Sequence, residues 1–440
     1  MATRAEGSDE TVAAEIIDLS HDGRGVSDVG GRRIFVPGAL PQERVLLKVR
    51  NKRRRRYQDA ELVEVVEPAP SRVEPLCPYF GVCGGCALQH LDYTAQIEFK
   101  EGVLREALRR IGGLEPPAFE LAITGAHWHY RRRARLGIKY VEGKGRVLVG
   151  FRERSAPFIT DMLACRNLVR PMDQLPALLG AALASSPLKR RIPQAEIAVG
   201  DDAGAIILRV LDPPGAEDID TFAALGDELG ADIYLQTGGP DTVKPITESR
   251  RQLAYTLKAH GIRIEFEPGD FIQINAEINQ AMVEAAVEAA EVSPGDKVLD
   301  LYCGLGNFSL PLARRAREVT GVEGAAPLVA RAARNAAVNA IDNAQFLTAD
   351  LEQTDWPFFR DEFDLVFLDP ARAGAEAAVA AMDSMRPRRI VYVSCHPGTL
   401  ARDAGELVAR RGYRLVSVRA LDMFPNTHHV EAIAVFDRGA

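Results

Sequence analysis

The chain has 440 residues, of which 47% are hydrophobic and 26% are charged, a balance typical of soluble globular proteins. No uncharged apolar run approaches the roughly 18 residues of a membrane-spanning helix, and the N-terminal "MATRAEGSDE" lacks the apolar core of a signal peptide. The composition therefore disfavours membrane and exported proteins and predicts a cytoplasmic protein, with about three domains at roughly 150 residues per domain.

Two short segments are strongly basic although the net charge is −7. "RNKRRRR" at 50–56 has six basic residues in seven, and "RRRAR" at 131–135 has four in five. A single run of this kind is usually a solvated face. Both runs lie beside aromatic residues, however: Tyr57 in the first case, Trp128 and Tyr130 in the second. Together they favour a phosphate-binding surface, because a local basic field can steer a polyanion towards an acidic protein.

The first two thirds of the chain contain two predicted structural regions. Short strand-like runs punctuated by glycines over 12–67 predict a small β-barrel, followed by a proline-rich linker, "EPAPSRVEPLCP". A helical pattern ends at the glycine pair 112–113. Residues 127–270 predict an α+β domain with strands over Arg146–Phe151, Glu196–Val199, Ala205–Leu211 and Asp232–Thr237.

Three of the six cysteines lie within ten residues, in "CPYFGVCGGCALQH". Cys77, Cys83 and Cys86 suit a metal or cluster better than a disulfide, because Gly84 and Gly85 let the backbone bend round a small centre. In a large cytosolic chain, metal ligation or free thiols are also favoured over disulfides. From the residues alone, either zinc or an iron–sulfur cluster could be the bound centre. The five residues between Cys77 and Cys83 are a wide spacing for a zinc knuckle.

From about residue 277 the pattern alternates between helices and apolar strands, which predicts a parallel sheet covered on both faces. Strands are predicted over 297–302, 318–323, 344–350, 363–369 and 388–394. Two further strands, over 413–421 and 431–437, have little room for a crossover helix between them. We expect them to form a hairpin at the edge of the sheet.

A glycine turn and several acids mark a ligand crevice in this sheet. Gly304 and Gly306 follow the first strand, and an acid ends each of the next three strands, at Glu323, Asp350 and Asp369. Ligands of open α/β sheets bind outside the carboxyl ends of the strands, so the acids should meet in one crevice, with Glu323 placed for ribose hydroxyls. Gly-x-Gly alone is a weak signal.

The residue at position 309, shortly after the glycine turn, helps to distinguish a dinucleotide from S-adenosylmethionine as the ligand. The third glycine of a dinucleotide fingerprint would fall at Ser309, which disfavours a pyrophosphate on the helix terminus. S-adenosylmethionine has no phosphate, and acids such as Asp300 and Asp350 suit its amino-acid moiety and its adenine amino group.

A cysteine just past the fifth strand supplies a candidate nucleophile. Cys395 lies on the same rim as the crevice, with His396 beside it and "DPAR" ending the neighbouring strand. A thiolate there could add to an electron-poor ring carbon such as C6 of uracil, which makes C5 able to accept a methyl group from a sulfonium. The C5 proton must then leave, and Glu431, His428 and His429 are the candidate bases.

These motifs resemble the RNA uracil-C5 methyltransferase family, most closely its iron–sulfur type that acts on 23S ribosomal RNA. The resemblance covers nearly the whole chain. "DLSHDGRGV" and "FVPGALPQERV" look like a TRAM domain, an OB-like RNA-binding barrel. "FIQIN", "DLYCGLGNFSL", "LDPARAG", "VSCHPGTLARD" and "DMFPNTHHVEAI" then follow in the order of the family.

The resemblance implies roles for single residues. Cys395 would be the nucleophile and Glu431 the base that removes the C5 proton. S-adenosylmethionine would contact Gln273, Tyr302, Asn307, Glu323, Asp350 and Asp369. A [4Fe–4S] cluster would be ligated by Cys77, Cys83, Cys86 and Cys165, and we expect it to have a structural or RNA-positioning role because the chemistry needs no redox step.

The resemblance also implies a multidomain fold. It consists of a disordered tail over 1–10, an OB-like barrel over 11–68, a central α+β iron–sulfur RNA-binding domain over 69–92 and 127–270, and a Rossmann-like α/β methyltransferase domain over 93–126 and 271–440. We expect a monomer with 23S ribosomal RNA as its substrate and no membrane partner.

One motif departs from the family pattern, which usually reads Asp-Pro-Pro-Arg where this chain has Ala371 in third place. This departure bears on the local loop geometry more than on activity. Three alternatives stay open: the same reaction on transfer RNA or another ribosomal uridine, a non-catalytic iron–sulfur RNA-binding protein, and a nicotinamide oxidoreductase. Intact Cys395 and Glu431 argue against the second, and Ser309 argues against the third.

Overall fold

A computed structural model describes residues 10–49, 57–117, 119–248, 250–353 and 355–439. The basic run at 50–56, and all but the last residue of the predicted tail at 1–10, lie outside these ranges. The described residues form two compact units. The first extends to Val103 and adds Glu153–Ala156 and Asn426–His429, and the second contains Leu104–Arg152, Pro157–Pro425 and the residues from Val430 onwards.

The first unit is built on a six-stranded sheet with the order β1-β5-β6-β4-β3-β2. Its strands pair antiparallel except β4 and β6, which are parallel. Gly30 and Gly31, both with positive φ, make the two-residue turn between β3 and β4, a conformation that glycine adopts without strain. The strands are β1 Glu10–Glu15, β2 Asp18–Leu19, β3 Arg24–Val29, β4 Arg32–Pro37, β5 Arg44–Val49 and β6 Tyr57–Glu67.

This sheet has its own small apolar core, which includes Ile16, Ile34, Val36 and Leu47. The cysteine loop follows the sheet, and helix α1 (Tyr93–Arg110) follows the loop. Asp92 begins the helix by accepting the backbone N–H of Ala95 at 3.1 Å, as an N-cap residue does.

The second unit contains a six-stranded mixed sheet with the order β13-β12-β11-β10-β8-β9. The α+β prediction is confirmed, since helices α2 (Leu175–Ala182) and α3 (Ala216–Leu229) pack on this sheet over one core. The sequence did not indicate β8. The strands are β8 Arg133–Val141, β9 Arg146–Gly150, β10 Gln194–Val199, β11 Gly204–Arg209, β12 Ala231–Gln236 and β13 Val243–Pro245. A separate hairpin is formed by β14 Leu253–Leu257 and β15 Ile262–Phe266.

An eight-stranded sheet with the order β18-β17-β16-β19-β20-β22-β21-β7 forms the rest of the second unit. Strands β16 to β20 are parallel, as predicted, and β22 runs antiparallel between β20 and β21. The strands are β7 Glu120–Ile123, β16 Lys297–Leu301, β17 Glu318–Glu323, β18 Ala344–Thr348, β19 Leu365–Leu368, β20 Arg389–Ser394, β21 Tyr413–Leu421 and β22 Glu431–Arg438. The helices are α4 Ala276–Ala289, α5 Ser309–Ala313, α6 Ala326–Val338, α7 Glu376–Ala380, α8 Met382–Met385 and α9 Pro397–Arg410.

The terminal hairpin differs in position from the prediction. It forms between β21 and β22, but β21 is not an edge strand, because β7 pairs with it in parallel. The insertion of β22 next to β20 brings Glu431 to the end of the strand that precedes Cys395. Among the helices of the described ranges, none combines the length and the apolar character needed to cross a membrane.

Candidate active site

The turn after β16 provides an open backbone surface at the carboxyl edge of the sheet. Tyr302, Gly304 and Gly306 all have positive φ, at 67°, 54° and 92°. A side chain at Gly306 would lie 3.0 Å from Leu310, so glycine is required there both for conformation and for space. The N–H of Gly304 donates to Glu323 at 3.2 Å, which ties the turn to the end of β17.

Three acids lie at the ends of neighbouring strands, as the sequence predicted. Glu323 ends β17 and also accepts the N–H of Ala325 at 3.0 Å. Asp350 is exposed and is bonded within its own turn by the N–H of Glu352 and the amide of Gln353. Asp369 follows β19, and burial together with nearby Asp300 raises its pKa to about 7. The order β18-β17-β16-β19 therefore places all three at the carboxyl edge of one sheet.

Asp300 has a structural position. Its side chain is fully buried and accepts a hydrogen bond from the hydroxyl of Ser309. Burial raises the pKa of Asp300 to about 7. Asp300 therefore supports the glycine turn through Ser309, and its suitability for the cofactor stays a prediction. Ser309, where a dinucleotide site would have glycine, is needed for that support.

The predicted cofactor residues Asn307 and Gln273 belong to a polar network in the second unit. Asn307 exchanges hydrogen bonds with Asn279 at 2.9 and 3.3 Å, and it accepts the hydroxyl of Tyr255 at 2.9 Å. The backbone carbonyl of Gln273 accepts Nε of Arg132 at 2.8 Å. These contacts hold the two predicted residues in place, and no pattern in the sequence predicted Asn279 or Tyr255 as their partners.

The basic run at 131–135 is largely internal, which corrects the interpretation of this run as a phosphate-binding surface. Arg132 is only 3% exposed, and its guanidinium lies 4.6 Å from the ring centroid of Tyr255. Arg133 donates to the carbonyls of Pro268 and Gly269. Arg135 is the exposed member and pairs with Glu196 at 3.0 Å.

Cys395 and Glu431 face each other at the end of two paired strands. Ser394 of β20 pairs with Ala432 of β22, so the next residue on each strand is Cys395 on one side and Glu431 on the other. Glu431 is 5% exposed and Cys395 is half-buried. Asp369, at the end of neighbouring strand β19, also acts electrostatically on the thiol. The nucleophile and the base predicted from the sequence are thus brought together.

The surroundings of Cys395 disfavour its thiolate in the resting protein. Burial, followed by the charges of Glu431 and Asp369, raises the pKa of the thiol to about 11, while Arg372 opposes the shift. The following residue, His396, caps α9 by accepting the N–H of Thr399 at 3.2 Å. The positive end of α9 is therefore close to the sulfur and favours negative charge there.

This electrostatic arrangement predicts how Cys395 reacts with iodoacetamide. The rate should rise about tenfold per pH unit from neutral pH towards a pKa of about 11, because only the thiolate attacks. Glu431→Gln should move the whole curve to lower pH, since it removes a negative charge that penalises the thiolate. Alkylation is measured by mass spectrometry of the peptide that contains Cys395. Glu376→Gln, a change at an 84% exposed carboxylate on α7, is the matched control. A rate that is already constant below pH 8 would contradict the raised pKa.

The two histidines proposed as rival bases belong to the first unit. The rings of His428 and His429 lie 4.6 Å apart, and the N–H of His429 donates to the hydroxyl of Thr427 at 3.3 Å. Glu431, by contrast, shares the second unit with Cys395 and is paired with it through the strand register.

The loop with the unusual Ala371 is held by helix α9. The carbonyl of Ala371 accepts the N–H of Gly374 at 3.0 Å. Asp403 of α9, which is 2% exposed, accepts the N–H of Ala375 at 2.8 Å, and Arg402 donates to a carbonyl of the same loop. Gly374 has a φ of 86°, and a side chain there would lie 2.7 Å from the Asp403 carboxylate. These contacts fix the loop without a second proline.

None of the six cysteines, all of which lie in the described ranges, forms a disulfide. Cys77, Cys83 and Cys86 lie in the first unit, where the N–H of Gly85 donates to the sulfur of Cys83 at 3.4 Å. Cys165 lies in the second unit. Within the described residues, no group of three or more His, Cys, Asp or Glu side chains is arranged to hold a single metal ion. The three thiols of the first unit are of the donor type that a thiolate-bound centre uses.

Comparison with known proteins agrees with this arrangement. Residues 92–438 match the family described as tRNA (Uracil-5-)-methyltransferase. The chain is 49% identical over 428 residues to the 23S rRNA (uracil(1939)-C(5))-methyltransferase RlmD of Alkalilimnicola ehrlichii, covering 97% of this chain and 96% of the relative. The RlmD protein of Methylococcus capsulatus is 46% identical over 432 residues, covering 98% and 97% of the two chains.

A solved structure is also similar over the full length. The Pyrococcus abyssi tRNA (uracil-54, C5)-methyltransferase, crystallised in complex with S-adenosyl-L-homocysteine, aligns with a TM-score of 0.73 and 26% identity. The alignment covers 97% of this chain and 100% of that one. The similarity therefore extends over both units and includes a protein whose crystal contains the demethylated form of the expected methyl donor.

Proposed function

The chain belongs to the tRNA (uracil-5-)-methyltransferase family, and from that premise we propose that it methylates C5 of a uridine in 23S ribosomal RNA with S-adenosylmethionine. The observation that carries the proposal is the pairing of Cys395 with Glu431 across β20 and β22, beside the carboxyl-edge crevice. Relatives that are 46% to 49% identical over nearly the whole chain are named as 23S rRNA methyltransferases. They favour this substrate over transfer RNA, for which the similar solved structure is only 26% identical.

The chemistry follows from the two facing residues. The Cys395 thiolate forms a bond to C6 of uracil, and the displaced π electrons make C5 nucleophilic. S-adenosylmethionine supplies an electrophilic methyl group on a sulfonium. C5 forms the new carbon–carbon bond, and the electron pair of the broken bond leaves with the thioether. Glu431 then takes the C5 proton, the C5–C6 double bond re-forms, and the Cys395 thiolate departs.

For the methyl donor, the crevice residues supply complementary groups. The carboxylate of Glu323 already holds the glycine turn at 3.2 Å and has lone pairs left for two ribose hydroxyls. Gly304 and Gly306 leave the backbone open to a close ligand. We assign Gln273, Tyr302, Asn307, Asp350 and Asp369 to the same site. Burial raises the pKa of Tyr302 to about 12, so its phenol stays protonated and can donate.

We propose a [4Fe–4S] cluster on Cys77, Cys83, Cys86 and Cys165. The proposal is supported by the absence of a disulfide at each of these described cysteines, by their spacing in the chain and by the family resemblance. Thiolates are the ligands of such clusters. Because Cys395 and Glu431 account for the reaction without a change of oxidation state, the role assigned to the cluster is structural or RNA-positioning. Zinc is the rival occupant.

The N-terminal sheet is proposed to be the TRAM, OB-like RNA-binding barrel at 11–68. Its support is a six-stranded sheet with an independent core and tight glycine turns. Arg24 and Arg33 lie on adjacent paired strands of this sheet. In the sequence, the basic run at 50–56 lies between β5 and β6. The central domain at 69–92 and 127–270, and the methyltransferase domain at 93–126 and 271–440, remain our proposed assignments.

Mass-spectrometric mapping of 5-methyluridine in RNA tests the proposed function. Cells that lack this protein should lose 5-methyluridine at one position of 23S ribosomal RNA and regain it with the wild-type gene, but not with Cys395→Ala. Unchanged 23S RNA, with a loss from transfer RNA instead, would overturn the substrate assignment. Restoration by Cys395→Ala would favour the non-catalytic alternative.

A further inference from the structure

A short segment of the chain, Glu153–Ala156, packs on the cysteine loop of the first unit. It follows β9 in sequence but belongs to the first unit, whereas its flanking residues belong to the second. Glu153 forms an antiparallel bridge with Cys83, and the N–H of Arg154 donates to the carbonyl of Val82 at 2.8 Å. These backbone bonds fix the position of the Arg154 side chain relative to the cysteines.

The guanidinium of Arg154 is directed at the cysteine loop. It donates to the carbonyl of Cys86 at 2.6 Å and lies 5.7 Å from the ring centroid of Phe80. In the described part of the chain no carboxylate pairs with it. A partly buried cation without a carboxylate needs another source of negative charge.

A second buried group, His90, lies against the same aromatic ring. His90 is 1% exposed, and across the described ranges neither of its ring nitrogens has a hydrogen-bond partner. Its ring centroid lies 5.3 Å from that of Phe80, the ring that also contacts Arg154. A neutral imidazole always has one N–H to donate, and leaving that donor unmet in a protein interior is costly.

We propose that Arg154 is the counter-charge of the iron–sulfur cluster, acting on it through Cys83 and Cys86. The inference depends on the cluster proposed above. A cluster bound by four thiolates is net negative, and its reduction adds further negative charge. A fixed cation beside two of the ligands therefore favours the reduced form and raises the reduction potential. The same charge favours the thiolates over the thiols, so Arg154 also helps the loop to retain iron.

The test compares four anaerobically purified full-length proteins: wild type, Arg154→Gln, Arg154→Lys and Arg152→Gln. Arg152 is the matched control, because it lies two residues away, belongs to the second unit and bonds the carbonyl of Pro157. Iron and acid-labile sulfide are measured per chain, and the midpoint potential is measured by a redox titration followed by electron paramagnetic resonance. Wild type and Arg152→Gln should contain equal iron and sulfide and share one potential.

We expect Arg154→Gln to lower the midpoint potential by at least about 59 mV. For a one-electron couple this corresponds to a tenfold change in the equilibrium constant of reduction. Arg154→Lys should recover most of the shift because it keeps the charge. If Arg154→Gln loses its iron, recovery of iron in Arg154→Lys supports the same role. Equal potential and equal iron in Arg154→Gln and Arg152→Gln would overturn the inference while the cluster stands. A wild type with zinc and no iron would overturn both the cluster and this role for Arg154, whereas methyl transfer, assayed separately on 23S RNA, reports on the proposed function alone.

Discussion

Cys395→Ala should abolish methyl transfer, with a loss of about 10⁴-fold or more, as when an enzyme loses its covalent nucleophile. Without the sulfur, C6 of uracil has no partner and C5 never becomes nucleophilic enough to take a methyl group. The expected loss is in the chemical step, because the crevice acids and the glycine turn do not depend on the thiol. Single-turnover transfer of radiolabelled methyl groups to 23S RNA measures this step directly.

A fluorinated substrate tests the same nucleophile by trapping the covalent adduct, without any measurement of turnover. Fluorine at C5 cannot leave as a cation, so wild-type protein should remain bonded to 5-fluorouridine RNA, visible as a shifted band on a denaturing gel. The target base must leave its stack to reach a half-buried sulfur, so looped RNA should be trapped more readily than a duplex. Binding of S-adenosylmethionine by Cys395→Ala should be unchanged and serves as the folding control. Methyl transfer or adduct formation by this variant would show that another group is the nucleophile.

The parts of the fold that could be predicted from the sequence are those encoded over short distances. The apolar strands β16, β17 and β20 were predicted to within about two residues, because strands covered on both faces give continuous apolar runs. The acids Glu323, Asp350 and Asp369 were placed on one edge because parallel strands align their carboxyl ends there. Both inferences need only the order of residues along the chain.

The parts that could not be predicted depend on contacts between distant residues. The insertion of β22 between β20 and β21 is set by packing, and it decides that Glu431 faces Cys395. Arg132 belongs to a basic run that predicted an RNA-binding surface, but it is buried and its guanidinium lies over the ring of Tyr255. The pairing of Asn307 with Asn279 likewise joins residues far apart in sequence. Periodicity predicts on which face of a strand or helix a residue lies, but not which other residues pack against that face.

Ala371 shows how a local departure is compensated at a distance. A proline at this position would stiffen the loop through its fixed φ. Here Asp403, with donors from Ala375 and from the hydroxyl of Tyr392, holds the loop against α9. The helix that holds the loop begins directly after the nucleophile, so Asp369 and Cys395 are fixed by the same element. The sequence showed the departure but not this compensation.

Glu431→Gln should separate the two halves of the reaction. Glutamine keeps the shape of the buried side chain but cannot accept the C5 proton, so turnover should fall by about 10² to 10⁴-fold, the usual contribution of a general base. Addition of Cys395 should not suffer, because loss of the negative charge lowers the pKa of a thiol that Glu431 helps to raise. The variant should therefore carry out addition and methyl transfer and then stop.

The stalled product is a covalent protein–RNA adduct that carries the new methyl group. Since departure of Cys395 needs the electrons released with the C5 proton, the adduct should accumulate with ordinary uridine RNA, without fluorine. A denaturing gel with RNA labelled at one end and methyl groups labelled from the donor should show both labels in one shifted band. The double variant Cys395→Ala/Glu431→Gln should show neither. If Glu431→Gln turns over at the wild-type rate, the proton leaves by another route, and the buried carboxylate opposite Cys395 is not the base. If instead the band carries RNA but no methyl label, the block precedes methyl transfer, and Glu431 acts on the ionisation or placement of the substrate.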